Sequence, residues 1–116
     1  MNRQACLDAG INYDEGVARF VGNAEMYEHF LNEFLSDPTF ALLDTAMGEK
    51  NMSSAFQAAH TLKGVTGNLS MDRLYQKLVA LTDALRGAGD LPQAESLFPA
   101  VKTEYQHICT FLTAQK

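Results

Sequence analysis

The sequence has no tryptophan, only two cysteines and only three prolines among its 116 residues. Cys6 and Cys109 lie near opposite ends of the chain, so we expect two buried thiols and not the disulfide framework of a small secreted domain. No apolar signal-peptide core follows the first residues, and no apolar run approaches the ~20 residues needed to cross a bilayer. These absences favour a cytoplasmic protein without a membrane segment.

Positive charge is also scarce. The 9 Lys and Arg residues stand against 14 Asp and Glu residues, which gives a formal net charge of −5. Such a chain has no excess of cations to neutralise the phosphates of a nucleic acid, unless a local patch departs from the average. We therefore expect no nucleic-acid partner.

Strand patterns are missing as well. Apolar residues recur at helical spacing almost everywhere, and period-2 alternation is not found. Short connections between amphipathic helices favour antiparallel neighbours. The sequence therefore predicts an all-α fold, an antiparallel up-down four-helix bundle with short additional N-terminal helices, in which residues 1–116 form a single domain.

Turn and capping residues divide the chain into these helices. Gly10 is expected to end a first short helix, and Gly48 is expected to end the fourth. An Asp90-Leu91-Pro92-Gln93 capping box should open the last helix, which reaches almost to Lys116. The remaining predicted helices span 14–21, 24–35, 38–47, 51–70 and 71–86. The apolar face of the third comprises Met26, Tyr27, Phe30, Leu31, Phe34 and Leu35.

The segment 51–70 has a histidine opposite its apolar stripe. At about 100° per residue, one face of this helix collects Ala55, Ala58, Ala59, Leu62, Val65, Thr66 and Leu69. His60 lies at the middle of the opposite face, with Gln57, Lys63, Gly64 and Gly67 around it. We expect the imidazole to be exposed to solvent.

Two glycines follow this histidine on the same face. Gly64 and Gly67 each cost about 1 kcal/mol relative to alanine within a helix. One explanation is that Gly64 is a C-cap at which the helix ends. Because the apolar stripe stays in phase as far as Leu69, we favour a second explanation, in which the missing side chains let a bulky partner approach His60. Lys63, one turn after the histidine, would hold a positive charge near an anion on the imidazole.

These residues carry a family resemblance. The segment Ala59-His60-Thr61-Leu62-Lys63-Gly64, followed by Gly67-Asn68-Leu69, resembles the His-x-Leu-Lys-Gly signature of the histidine-containing phosphotransfer (HPt) domains of two-component phosphorelays. Residues 13–20 and 27–35 are similar to the N-terminal part of that family. Ser70 departs from the pattern, since many members have a second small glycine there.

The resemblance implies that His60 accepts a phosphoryl group from an aspartyl phosphate on a receiver domain and passes it to another receiver. It implies that Lys63 stabilises this group and that Gly64 gives the receiver access. Gly67 is a further candidate for access, and Gln57 is a candidate for a hydrogen bond. The expected partners are response-regulator receiver domains and a hybrid sensor kinase. No cofactor of its own is expected, Mg²⁺ should be held by the receiver, and the protein should be a monomer.

Autophosphorylation from ATP is not expected. The sequence has no Gly-rich nucleotide-binding loop. Thr61 follows His60, whereas the dimerisation domain of a sensor kinase usually has an acidic residue there. The chain is therefore predicted to be a phosphocarrier and not an ATP-dependent autokinase.

Three other interpretations concern the surface and the bundle interior. A helical adaptor that binds a signalling partner and never carries phosphate is the alternative function. A di-iron site is disfavoured, because Glu104 and His107 form only one of the two Glu-x-x-His motifs that it requires. Met71, in line with His60 if the helix runs on, and Phe56, one turn before it, are candidates for an apolar docking patch.

Overall fold

The computed structural model describes residues 1–87 and 89–115, and throughout these residues the only regular structure is helical. The α-helices are α1 (Arg3–Asp8), α2 (Tyr13–Arg19), α3 (Ala24–Glu33), α4 (Thr39–Gly48), α5 (Met52–Asn68), α6 (Asp72–Leu85) and α7 (Leu91–Ala114), with a 3-10 turn at Phe34–Ser36. The predicted all-α class is confirmed. Lys116, near which the last helix was expected to end, lies outside the described residues. In the part of the chain that is described, no helix is long and apolar enough to span a membrane.

Helices α4 to α7 form the predicted four-helix bundle. Each packs against the next in chain order, and the short connections make neighbouring helices antiparallel. Aromatic stacking joins the first and last of them. The ring of Phe40 on α4 lies 3.9 Å from that of Tyr105 on α7 and 6.0 Å from that of Phe98, measured between centroids.

Side-chain caps begin most of the helices. In five of them an Asn or Asp side chain accepts a hydrogen bond from the backbone N–H three residues later, at Asn2, Asn12, Asn23, Asn51 and Asp90. The bond from Gln93 N to Asp90 Oδ1, 3.0 Å long, confirms the predicted start of α7. Since each cap satisfies a backbone donor that has no partner within the helix, these residues fix where the helices begin.

The sequence-based boundary is wrong at the end of the third helix and right at the end of the fourth. The third α-helix ends at Glu33 and continues as a 3-10 turn through Ser36, after which Asp37 is extended because the position before a proline disfavours helix. Gly48 is the last residue of α4, which confirms the predicted end, and the chain reverses at Lys50, whose φ is 57°. A lysine therefore adopts the left-handed conformation that follows this helix.

The apolar face predicted for α3 is only partly buried. Tyr27, Leu31 and Phe34 are buried, whereas Met26 is 48% exposed and Phe30 is 44% exposed. The reason is that α3 packs mainly against α2 and the turn that follows it, and not between two long helices. One narrow stripe of α3 therefore reaches the core.

Tyr27 connects α3 to the end of α5. Its side chain is fully buried, and its hydroxyl donates a 2.6 Å hydrogen bond to the backbone carbonyl of Leu69. Burial raises the pKa of this hydroxyl, which therefore remains a donor. Helix α2 approaches Tyr27 closely at Gly16, where an added Cβ would overlap the tyrosine ring.

We expect Tyr27→Phe to lower the free energy of unfolding by about 1–2 kcal/mol, because the carbonyl of Leu69 would lose its buried donor. Tyr75→Phe is the control, since it removes a hydroxyl from a half-buried ring nearby without affecting that carbonyl. Urea denaturation measures both. Equal stability of Tyr27→Phe and wild type would show that this bond does not stabilise the fold.

Gly16→Ala should lower the free energy of unfolding by about 2 kcal/mol, because the new methyl group forces Tyr27 or α2 to move. Gly48→Ala is the matched control, since its Cβ would meet nothing within 4 Å. That change should be neutral or stabilising by up to about 1 kcal/mol. Thermal unfolding of the two variants should diverge, and similar losses in both would contradict the close approach of α2.

Candidate functional site

Helix α5 buries one face and exposes the other. Its buried residues are Ala55, Ala58, Ala59, Leu62 and Thr66, and Leu69 is buried just beyond its end. This confirms the predicted core face except at Val65, which is half-buried at its edge. His60 is exposed, as expected from its place opposite that face.

The surface around His60 differs in charge from the chain as a whole. Residues Met52–Asn68 include one lysine and one histidine but neither Asp nor Glu, although the net charge of the chain is −5. An anion bound on this helix would therefore meet no carboxylate from α5 itself.

Helix α5 continues through both glycines to Asn68, so the alternative in which Gly64 ends the helix is wrong. The end is a Schellman motif, in which Met71 N donates to Thr66 O at 2.9 Å and Ser70 N donates to Gly67 O at 3.2 Å. Ser70 takes the left-handed position of this motif, with φ 54°.

Side chains from α2 hold this serine in place. Ser70 Oγ is 3.1 Å from Glu15 Oε1, to which it donates, and 3.2 Å from Arg19 Nε, from which it accepts. Ser70 is the residue that departs from the family signature. Its buried hydroxyl is hydrogen-bonded, at a position where the backbone conformation favours glycine.

The turn at Ser70 also removes Met71 from the histidine's surface. Met71 is fully buried. The helix no longer continues at this position, so the helical-wheel alignment with His60 does not apply. The prediction that Met71 joins an apolar docking patch is wrong.

The two glycines of α5 have different surroundings. A Cβ at Gly67 would lie 3.2 and 3.3 Å from ring carbons of Tyr75, so this glycine lets α6 pack closely. A Cβ at Gly64 would meet nothing within 4 Å. The fold therefore explains the missing side chain at Gly67 but not the one at Gly64.

Lys63 and Gly64 line a groove between α5, α2 and α6. Glu15, Arg19 and Asp72 also line it. Arg19 Nη2 lies 3.2 Å from Glu15 Oε1 in an ion pair. Burial, and next the charge of Glu15, raise the pKa of the Asp72 carboxyl. The carboxylates of this groove belong to α2 and α6, beyond the turn that carries His60.

Towards the N-terminus of α5, the imidazole of His60 lies beside an aromatic ring. The Phe56 ring centroid is 5.8 Å from that of His60 at an interplanar angle of 37°. The guanidinium carbon of Arg86 lies 5.4 Å from the Phe56 centroid, and Arg86 Nη2 is 3.5 Å from Asp83 Oδ1. The sequence interpretation named Phe56 but missed Arg86, which the antiparallel pairing of α5 and α6 brings to it.

Gln57 lies on the opposite flank of α5. It is exposed and lines the groove between α4 and α5, together with Leu42 and Thr61. The structure therefore places Lys63 and Gln57 on two sides of His60. The hydrogen bond suggested for Gln57 stays a prediction.

The Glu-x-x-His motif formed by Glu104 and His107 does not form a metal site in the described residues. Glu104 Oε2 accepts a 2.6 Å hydrogen bond from Arg73 Nε, and His107 is exposed. Within residues 1–87 and 89–115, no three His, Cys, Asp or Glu side chains are grouped closely enough to hold a metal ion.

Of the two thiols, Cys6 is buried as expected, whereas Cys109 is only half-buried.

The arrangement offers an accessible nitrogen nucleophile on a rigid helix. A neutral imidazole attacks electrophiles near pH 7 without prior removal of a proton from the attacking nitrogen. Lys63 supplies positive charge one turn away, and the open space at Gly64 lies on the same face. These features suit a group-transfer reaction in which a second protein brings the electrophile.

Comparison with models of protein families gives a match over most of the chain. The family model described as the Hpt domain matches residues 25–111, which span most of α3 through α7 and include the whole of α5. Searches among curated proteins and among solved structures gave no significant match. Since the matched region covers most of the chain and contains the exposed histidine, the protein belongs to the Hpt domain family, the phosphocarriers of histidine phosphotransfer in phosphorelays.

Proposed function

We propose that the chain is a phosphorelay intermediate that accepts a phosphoryl group on His60 from the aspartyl phosphate of a receiver domain and passes it to an aspartate of another receiver. The observation that carries the proposal is the open space at Gly64. The fold has no internal need for a glycine there, and the helix would be more stable with alanine. Access from outside the molecule explains the residue.

The geometry of a helix relates this space to His60. A helical side chain covers the turn that precedes its own Cα. A side chain at position 64 would therefore lie over the turn that carries His60. Its absence lets the active-site loops of a receiver approach the imidazole over a modest contact area, as suits a transient complex.

The transfer itself needs little chemistry from this chain. The lone pair of an imidazole nitrogen of His60 attacks phosphorus, the aspartyl O–P bond breaks, and the carboxylate of the donor leaves with the bonding electrons. The reverse steps deliver the phosphoryl group to the next aspartate. Positioning and neutralisation of charge dominate such reactions.

Lys63 is the cation that we assign to the transferred group. It lies one helical turn after His60, the spacing at which side chains on a helix are neighbours. Magnesium would arrive with the receiver, because carboxylates are its preferred ligands and α5 contributes none. A hybrid sensor kinase that carries a receiver domain is a partner of the same class.

His60→Gln should abolish acid-labile, base-stable labelling from a phosphorylated receiver, because the nucleophile is gone. His107→Gln is the matched control, since this histidine is also exposed, and it should be labelled like wild type. Autoradiography after transfer measures the label, and circular dichroism checks that both variants are folded. Labelling that persists in His60→Gln would refute the proposal, and receiver binding without label in any variant would support the adaptor function.

Gly64→Gln should slow transfer by about tenfold or more, since misplacement of the reacting groups is costly, while the free energy of unfolding stays equal or rises. Gly48→Gln, another helical glycine with open space beside it, should transfer at the wild-type rate. Rapid-quench kinetics compares the two. A normal rate in Gly64→Gln would show that the open space does not serve access.

A further inference from the structure

We infer that Arg86, held on the face of Phe56, is a second cation of the phosphoryl site, and that Phe56 is the positioning residue that keeps it there. The inference rests on the proposed function of His60 and adds two residues to it. Lys63 would meet the phosphoryl group from the turn after His60, and Arg86 would meet it from the turn before.

The contacts form a continuous row from α6 to the imidazole. Asp83 pairs with Arg86 at 3.5 Å, Arg86 lies 5.4 Å from the centroid of Phe56, and Phe56 lies 5.8 Å from that of His60. Phe56 is partly buried against the core and therefore has a fixed position. A cation over an aromatic face is attracted by the negative charge density of the ring.

Arg86 is placed to bind an anion on His60 while its side chain stays beside Phe56. The side chain is 56% exposed, so the guanidinium can direct its N–H groups towards His60 without leaving a buried pocket. A guanidinium binds phosphate oxygens through two parallel N–H bonds, which an ammonium group cannot do. The nearest carboxylate in this row, Asp83, is paired with Arg86 and 65% exposed, so solvent screens its charge.

The charge distribution supports this role. Helix α5 carries no carboxylate, and the carboxylates of the Lys63 groove lie towards the other end of the helix, on α2 and at the start of α6. Near Phe56, towards the N-terminus of α5, the guanidinium of Arg86 faces the aromatic ring. A dianionic phosphoryl group on His60 would therefore have a cation on each side along the helix axis.

The test uses potassium phosphoramidate as a small donor, so that no receiver is needed. The P–N bond of the donor breaks, ammonia leaves, and an imidazole–phosphorus bond forms at His60. The midpoint of the second ionisation of the attached phosphoryl group is then followed by ³¹P NMR. A nearby cation lowers this midpoint, so Arg86→Ala should raise it by about 0.3 pH unit.

Substitutions at Phe56 separate positioning from simple packing. Phe56→Leu keeps an apolar side chain but removes the aromatic face, and should raise the midpoint as Arg86→Ala does. Phe56→Tyr retains the face and should match wild type. The double variant Phe56→Leu with Arg86→Ala should show no further rise, because Phe56→Leu already displaces the cation that Arg86→Ala removes. Lys77→Ala, an exposed lysine on α6, is the control and should leave the midpoint unchanged.

A measurement on the unphosphorylated protein tests the contact between Phe56 and His60. In the unmodified protein, Phe56→Leu should shift the ring-proton resonances of His60, because the ring current of a neighbour 5.8 Å away is lost. Unshifted His60 resonances would overturn the inference. A midpoint that is the same in Arg86→Ala and wild type would also overturn it, while leaving the phosphotransfer proposal intact. Failure of the wild type to take label on His60 would contradict the proposed function, and with it this inference.

Discussion

The exposure of His60 depends on burial of the opposite face of α5. Small residues such as Ala55 and Ala59 let α4 and α6 pack close to this helix, and their burial fixes its rotation about its own axis. Because successive residues are about 100° apart, a buried Ala59 places His60 near the surface. The nucleophile therefore needs no local support from a loop, and it is as rigid as the bundle that carries it.

The C-terminal end of α5 is fixed from outside the bundle. The hydroxyl of Tyr27 binds the carbonyl of Leu69, while Glu15 and Arg19 hold the left-handed turn at Ser70. Helices α2 and α3 thus anchor the end of the helix that presents the histidine. Since α2 lies before the region matched by the family model, this anchoring involves residues that the family match does not include.

Helical periodicity was sufficient to predict the face of α5 and the exposed histidine, because a long helix with one apolar stripe has one way to be buried. It could not predict the Ser70 turn, since a serine with positive φ is held there by partners distant in sequence. That turn is why Met71 was misplaced. The stack of Arg86 on Phe56 and the contact of Tyr75 with Gly67 depend on the register between α5 and α6, which one sequence does not specify.

The most decisive experiment on this protein identifies the side chain that becomes phosphorylated. The chain has three histidines, so the two others, His29 and His107, serve as internal controls. After transfer from a phosphorylated receiver, electron-transfer fragmentation of peptides kept at alkaline pH locates the phosphoryl group. We predict phosphate on His60 and on neither of the other histidines. Phosphate on His29 or His107, or no phosphate on His60 after the receiver has lost its phosphoryl group, would contradict this prediction.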